Sequence, residues 1–312
     1  EIYGPPLPHL QGKLTKHPQV KNNSTQLPLP SHIKSNASRI KLYIDIFYVN
    51  GLSFLHTKSK DVNYITIQHL TNRKETTIAG KLSYVINRYT KRGFVISDVF
   101  SDNEFNLQSI RQLVLPANLH LCARGEHVPI IERSIRTIKE RARSVYHDIP
   151  YDNIPNIMLV ALMERIQHTI NSFPQSGHVH SQSPLTIVEG KGPINFSKVR
   201  LPFGAYAIIH SGTDNTMNSR GISAIALRES NESNGYYFMS LDSGKRLNCN
   251  KWVTLPIPDD IIDKVNQIGL KDKSSNKAKD KDGPTLDLDD FSQGDKDEDT
   301  DEVTDDLSQM LD

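Results

Sequence analysis

Apolar residues recur at every second position between residues 39 and 69, which is the period of a β-strand with one buried face. Val49-Asn50-Gly51-Leu52 interrupts this alternation with an Asn-Gly pair, the signature of a tight hairpin turn. The pattern predicts a three-stranded antiparallel meander. Its strands cover Ile40–Tyr48, Leu52–Lys58 and Val62–His69.

Beyond the meander, the apolar period changes between that of helices and that of strands. It predicts a helix, a strand, a short helix, a short strand and two longer helices, in that order. Their bounds are Thr76–Arg92, Phe94–Phe100, Leu107–Leu115, Leu119–Ala123, Glu126–Val145 and Pro155–Phe173.

The helix predicted over 126–145 carries two stripes. Ile131, Ile135, Ile138, Ala142 and Val145 step by four and three residues and form the apolar face. Glu132, Arg136, Lys139 and Arg143 share a second face, with Arg133 beside it. A row of cations is typical of a surface that binds a polyanion, and an acid at its head suggests a bound divalent metal. The alternative is a solvated helix in which Glu132 pairs with Arg136.

Short strands replace helices in the last third of the chain. Prolines and glycines between 174 and 193 mark a linker, and five strands between 205 and 255 follow at intervals near ten residues. This spacing predicts a small all-β barrel or sandwich. A last short helix is predicted over Ile261–Ile268.

Charge divides the chain into a basic body and an acidic end. Residues 271–312 hold 15 acidic and 6 basic residues, which leaves 31 basic and 21 acidic residues in 1–270, a net charge of +10. A basic body suits a polyanionic partner. The acidic end is poor in apolar residues, so we expect it to be disordered. It either serves as a linker or folds back on the basic body.

Several classes of protein are disfavoured. The two cysteines, Cys122 and Cys249, do not form a disulfide framework or a four-cysteine zinc site, which suits an intracellular compartment. The longest apolar run is seven residues, Ile157–Met163, too short for a membrane span. The chain begins with Glu1, so we expect a fragment of a larger product.

Three acids occupy distinctive places in the predicted elements. Asp45 lies in the middle of the first strand, where Asp is disfavoured, so it either faces a site or lies on the solvated face of an edge strand. Asp102 follows the fourth strand, and Glu132 lies on a helix. The order β-β-β-α-β-α-α, with acids at these places, resembles a ribonuclease H-like fold. Converging carboxylates repel one another unless a divalent metal neutralises them, and two such ions can assist an in-line phosphoryl displacement.

Local motifs resemble the integrase of copia-type retrotransposons, whose core is similar to retroviral integrases. They run along most of the chain before the acidic end. The motifs are YIDIFYVNG (Tyr43–Gly51), SDNEF (Ser101–Phe105), VPIIERSIRTIKER (Val128–Arg141), NSFP (Asn171–Pro174), SPLTIVEG (Ser183–Gly190), PFGAYA (Pro202–Ala207) and Ser219–Leu247.

This resemblance implies an α/β fold, a ribonuclease H-like mixed sheet with flanking helices followed by a small SH3-like β-barrel. It implies metal-dependent DNA 3′-end processing and strand transfer, with two Mg²⁺ or Mn²⁺ ions on Asp45, Asp102 and Glu132. DNA would contact Arg133, Arg136, Lys139 and Arg143. The partners would be element ends, target DNA and further copies of the chain, without a membrane, in the nucleus or a cytoplasmic particle. The alternatives are an inactive nucleic-acid-binding remnant and a nuclease that cuts without joining.

The second and third acids have rivals. Between Asp98 and Glu132 there are 33 residues, and between Asp102 and Glu132 only 29, so the spacing of Asp98 is nearer to the family's usual separation. We prefer Asp102 because Asn103 and Phe105 carry the local match. Glu126 and Glu140 are rivals of Glu132, and Glu104 adds a negative charge near the site.

These observations divide the chain into six segments. We expect an extended Pro-rich arm, an integrase-like catalytic core, a linker, an SH3-like barrel, a short helix and a disordered acidic tail. Their ranges are 1–38, 39–175, 176–200, 201–258, 259–270 and 271–312.

Overall fold

A computed structural model describes most of the chain up to residue 279. The described residues are 7–14, 26–29, 33, 38–122, 129–174, 182–192, 201–210, 217–230 and 235–279. The acidic segment 280–312, predicted to be disordered, lies outside them.

The first sheet is mixed and five-stranded. Its strands are β1 (Arg39–Val49), β2 (Leu52–Ser59), β3 (Ile65–Leu70), β4 (Val95–Asp102) and β5 (Asn118–Cys122), in the spatial order β3-β2-β1-β4-β5. The first three strands form the predicted antiparallel meander, and β4 and β5 run parallel to β1. Asn50 and Gly51 both have positive φ, as the predicted Asn-Gly hairpin requires.

Helices cover both faces of this sheet. On one face, α2 (Glu75–Lys91) and α3 (Gln108–Val114) pack on Ile40, Leu42 and Ile44 of β1. On the other, α4 (Pro129–His147) and α5 (Asn156–Ser172) pack on Phe47 and Val49. Since side chains alternate along a strand, the even and odd positions of β1 serve two different cores. This mixed α/β arrangement is consistent with a ribonuclease H-like core.

A short helix, α6 (Pro184–Glu189), lies in the region predicted to be a linker. Ser183 caps its N-terminus, accepting a hydrogen bond from the backbone N–H of Thr186, and Gly190 ends it in the left-handed conformation. Glu189 pairs with Arg88 at 2.9 Å and accepts a hydrogen bond from Tyr64. The helix is therefore anchored to the first sheet and α2.

The second sheet is antiparallel and open. Its strands are β6 (Tyr206–His210), β7 (Gly221–Glu229), β8 (Tyr236–Ser240), β9 (Arg246–Cys249) and β10 (Trp252–Thr254), in the order β10-β6-β7-β8-β9. The structure therefore does not show the predicted closed SH3-like barrel. The edge strands β9 and β10 are separated by only two residues in sequence, so the sheet must curl strongly. Trp252 accordingly packs on Tyr236 and Phe238 of β8.

The two terminal helices join the sheets. In the N-terminal segment, α1 (Leu7–Lys13) buries Leu10 in the cluster that includes both α5 and the second sheet. The last helix, α7 (Asp259–Lys279), is longer than predicted and extends into the segment assigned to the tail. Its Asp272 accepts a hydrogen bond from the backbone N–H of Asn156 at 2.8 Å. Asp272 thereby caps the first turn of α5 from a neighbouring helix.

Two helical glycines give a matched stability test. A Cβ at Gly269 of α7 would overlap the carbonyl of Asn153, whereas a Cβ at Gly80 of α2 meets nothing within 4 Å. We expect Gly269→Ala to destabilise the protein by about 1–3 kcal/mol through overpacking. Gly80→Ala should stabilise it by about 0.5–1 kcal/mol through helix propensity. Urea unfolding of both variants measures this, and equal effects would contradict the packing of α7.

Candidate functional site

Asp45 lies at the centre of the first sheet, on the face that α4 and α5 cover. It shares the odd positions of β1 with Phe47, which packs in the same cluster as Ile138 of α4. Its side chain is half-buried, and its Oδ1 accepts a hydrogen bond from the backbone N–H of Ile46 at 2.7 Å. Asp45 therefore faces the helix that carries Glu132.

The pairing of β1 with β4 brings Asp102 next to Asp45. Tyr43 lies opposite Phe100, and their rings stack 4.8 Å apart. Two residues further along each parallel strand are Asp45 and Asp102, so both lie on the same face, one strand spacing of about 4.8 Å apart. Asp102 is exposed at the end of β4, and its side chain caps the following 3₁₀ turn, Asn103–Phe105, at 2.6 Å.

The charges of three neighbouring carboxylates act on Asp45. The pKa of Asp45 is raised to about 6, mainly by burial, although the hydrogen bond from the backbone N–H of Ile46 lowers it. The negative charges of Asp102, Glu104 and Glu132 raise it further. Glu132 is exposed in the first turn of α4. The structure thus brings the three predicted acids into one electrostatic neighbourhood and adds Glu104 to them.

Arg73 is a member of this neighbourhood that the sequence analysis missed. Its Nε donates to Glu104 Oε1 at 3.1 Å, and its guanidinium lies over the ring of Tyr48, 5.7 Å from the centroid. Arg73 follows β3 in a polar segment without periodicity, so nothing in the pattern singles it out. Arg73 therefore neutralises the charge of Glu104.

Asp98, the rival second acid, has other partners. His120 donates to it at 2.9 Å and Ser97 at 2.8 Å, and the hydrogen bond from His120 is the largest cause that lowers its pKa. It pairs with Lys41 in the ladder, four residues or about 13 Å along the strand from Asp102. Asp98 does not appear among the charges that raise the pKa of Asp45. The geometry therefore favours Asp102.

Glu126 and Glu140 are the two alternatives to Glu132 as the third acid. Glu126 lies outside the described residues. Glu140 is exposed on α4, two turns after Glu132, and is not among the charges that act on Asp45.

Oxygen ligands of this kind are those that Mg²⁺ and Mn²⁺ prefer. Within the described ranges, however, no three His, Cys, Asp or Glu side chains lie close enough together to hold a metal ion. The donor chemistry thus fits a divalent cation, whereas the side-chain positions do not form a closed metal cage.

A buried histidine fixes the position of α4. His56 of β2 donates from Nδ1 to the carbonyl of Thr66 at 3.0 Å, and its Nε2 lies 2.9 Å from Ser134 Oγ. Since the carbonyl can only accept, Nε2 accepts from the Ser134 hydroxyl when the ring is neutral. Ser134 lies two residues after Glu132, so this bond sets the rotation of α4 near the acids.

The cations predicted to bind DNA divide between two sides of α4. Arg136 and Arg143 are exposed and Lys139 is half-buried, and the three share the stripe that Glu132 heads. Arg133 does not belong with them. It lines a pocket on another side of the helix, together with Lys58 and Arg141.

Comparisons with known proteins find similarity only among solved structures. No protein-family model and no curated protein matches the chain. A solved structure that is similar is the catalytic core domain of BIV integrase, at 17% sequence identity and a TM-score of 0.36. The match covers 48% of this chain and 93% of that one. A likeness this distant assigns no role to any residue. No helix in the described part of the chain is long and apolar enough to cross a membrane.

The environment of His56 predicts a pH dependence of stability. Burial lowers its pKa from 6.5 to about 4, so the unfolded chain takes up this proton at a higher pH than the folded protein. The stability contributed by neutral His56 is present above pH 6.5 and is lost as the pH falls towards 4, by about 3 kcal/mol. We expect His56→Gln to remove this part of the slope in urea unfolding measured across that range. His147→Gln, an exposed control, should retain the slope, and an equal slope in all three proteins would contradict the prediction.

Proposed function

We propose that this protein is an integrase-type polynucleotidyl transferase that processes DNA 3′ ends and joins them to target DNA. The observation that carries the proposal is the placement of Asp45 and Asp102 on the adjacent central strands β1 and β4, where the charge of Glu132, at the head of the basic stripe of α4, acts on Asp45. The resemblance of the local motifs to copia-type integrases supports the same reading.

Asp45, Asp102 and Glu132 are the residues that would hold two divalent ions, Mg²⁺ or Mn²⁺. When bound, such ions supply Lewis acidity at the scissile phosphate and lower the pKa of an attacking water. Burial is the main reason for the raised pKa of Asp45, and the charges of Asp102 and Glu132 raise it further. A cation between the three carboxylates would relieve this repulsion.

In the proposed reaction the protein positions the DNA phosphates and forms no covalent intermediate with them. In the first step, a water oxygen attacks a phosphodiester near the element end, and the bond to the 3′ oxygen breaks and leaves a 3′-hydroxyl. In the second, this hydroxyl oxygen attacks a target phosphodiester and displaces its 3′ oxygen. Arg136, Lys139 and Arg143 hold neighbouring phosphates, which keeps the scissile bond beside the acids.

The second sheet would act as an SH3-like DNA-binding module, and several copies of the chain would assemble on the two element ends. We place this assembly inside the cell, in the nucleus or a cytoplasmic particle. These parts of the proposal follow from the family resemblance alone.

An inactive DNA-binding remnant is the second candidate. The observation that favours it is the lack of three carboxylates at metal-binding separation among the described residues. Metal binding and catalysis separate the two candidates, because a remnant would retain DNA binding without either of them.

Metal binding can be tested without an assay of activity. Mg²⁺ at ten times its Kd should stabilise the wild-type protein by about 1.4 kcal/mol, because it binds the folded state. We expect this gain in thermal unfolding to disappear in Asp45→Asn and Glu132→Gln. Asp98→Asn is the matched control and should retain it, since Asp98 is occupied by His120.

The same variants should then be assayed for strand transfer with labelled element-end DNA and a plasmid target. Asp45→Asn, Asp102→Asn and Glu132→Gln should lose at least about a hundredfold in rate, as expected when electrostatic stabilisation of a transition state is removed. If the wild-type protein shows no Mg²⁺-dependent cleavage or joining, the inactive DNA-binding remnant is the correct candidate. Cleavage without joining would indicate a nuclease.

The basic stripe predicts a salt-dependent contribution to DNA binding. Replacing Arg136 and Lys139 with Ala removes two phosphate contacts, so the slope of log K against log salt should flatten by about two. Fluorescence anisotropy with duplex DNA measures this slope. An unchanged slope would show that both cations are merely solvated.

A further inference from the structure

A pocket of about 620 Å³ lies on the side of α4 away from the acids. It is enclosed by β2, β3, α4 and the C-terminal end of α5. Its rim carries Lys58, Arg133 and Arg141, and its apolar wall includes Ile170 and Phe173. No acidic residue lines it.

The three rim cations have no counter-charge in the described part of the chain. None of their side chains forms a hydrogen bond or an ion pair with another described residue. Lys58 is half-buried, and burial together with the charge of Arg133 lowers its pKa. Arg133 and Arg141 are exposed, so a ligand can reach both of them. A half-buried lysine beside like charges is unfavourable unless an anion binds there.

Helix geometry separates this pocket from the basic stripe of α4. At 100° per residue, Arg133 and Arg141 are rotated from Glu132 by about 100° and 180°, whereas Arg136, Lys139 and Arg143 stay within about 40° of it. A helix with its side chains is about 10 Å across. A phosphate beside Arg141 is therefore held on the opposite side of α4 from one beside Glu132.

The span of the rim indicates the kind of anion. Arg133 and Arg141 are eight residues apart, or about 12 Å along the helix. This exceeds the size of one phosphate ion, and successive phosphates of a DNA strand rise by about 3.4 Å. The hydroxyls of Thr137 and Thr169 donate to helix carbonyls, so the cations are the donors that face the ligand.

We propose that Lys58, Arg133 and Arg141 form a second nucleic-acid site, which binds the phosphates of a DNA segment other than the one at the acids. The site deepens the proposed function, because a joining enzyme must hold two DNA segments at once. It also stands apart from catalysis, since binding to it needs neither a metal nor the three acids.

The test measures the salt slope of duplex DNA binding by the full chain in EDTA, between about 50 and 200 mM salt. Arg133→Gln combined with Arg141→Gln should lower the slope by about two. The charge-conserving pair Arg133→Lys and Arg141→Lys should restore it. Far-UV circular dichroism and urea unfolding of each variant show that the fold is retained.

Matched controls separate this site from the rest of the protein. Lys91→Gln combined with Arg111→Gln removes two exposed cations from the helices on the other face of the sheet and should leave the slope unchanged. Without EDTA, the Arg133→Gln and Arg141→Gln variant should retain the thermal stabilisation by Mg²⁺ that Asp45→Asn loses. Failure of the proposed function and failure of this site are therefore seen in different variants.

An unchanged slope in the Arg133 and Arg141 glutamine variant would overturn the proposal. If that variant also failed to bind a labelled synthetic peptide of sequence 280–312, the pocket would instead be assigned to the acidic end of this chain. A slope lowered equally by the Lys91 and Arg111 control would likewise overturn it, since the effect would then reflect overall charge.

Discussion

The parallel pairing of β1 with β4 is the constraint on which the site depends. Its register places Tyr43 opposite Phe100, and His120 of β5 stacks on the other side of Phe100 at 4.6 Å. A slip by one residue would turn every side chain of β4 to the other face of the sheet. The stacked rings oppose such a slip, because aromatic pairs on adjacent strands favour one register. They therefore keep Asp102 beside Asp45.

Helix α4 packs on the sheet that this register fixes, and it presents three different faces. The apolar face, which includes Ile138 and Ala142, packs on the sheet and fixes the distance of the helix from β1. The hydrogen bond between Ser134 and His56 fixes its rotation. Once both are fixed, Glu132 and its row of cations face the acids, and Arg133 and Arg141 face the pocket. One packed helix thus positions two sets of charged groups on two different sides.

Much of this fold could be predicted from the sequence because its signals are local. Alternation at residues 39–69 and the Asn-Gly turn predict the meander, and helical periods predict α2, α4 and α5 within a few residues. The ends of α7 and the helix α6 were missed, because their stability comes from contacts distant in sequence. Asp272 bonds to Asn156, and Glu189 bonds to Arg88 and Tyr64.

The candidate site was predictable to a similar degree, for a similar reason. Strand and helix positions predict the three acids, but only the structure shows that Asp98 is bonded to His120. Arg133 adjoins the stripe in sequence, and only the packing of Lys58 from β2 shows that it belongs to another surface. Whether the second sheet closes into a barrel depends on pairing between its edge strands, which periodicity does not encode.

An acidic cluster and a basic pocket lie on opposite sides of α4. Arg73 binds Glu104, the fourth acid, but Asp45 retains a raised pKa among the remaining carboxylates. Lys58 and Arg133 repel each other in a pocket without acids. An ion pair between the two clusters would stabilise the fold, but the body of α4, about 10 Å across, stands between them. The acids and the pocket cations therefore stay on opposite sides of the helix, and each cluster keeps the repulsion among its own charges.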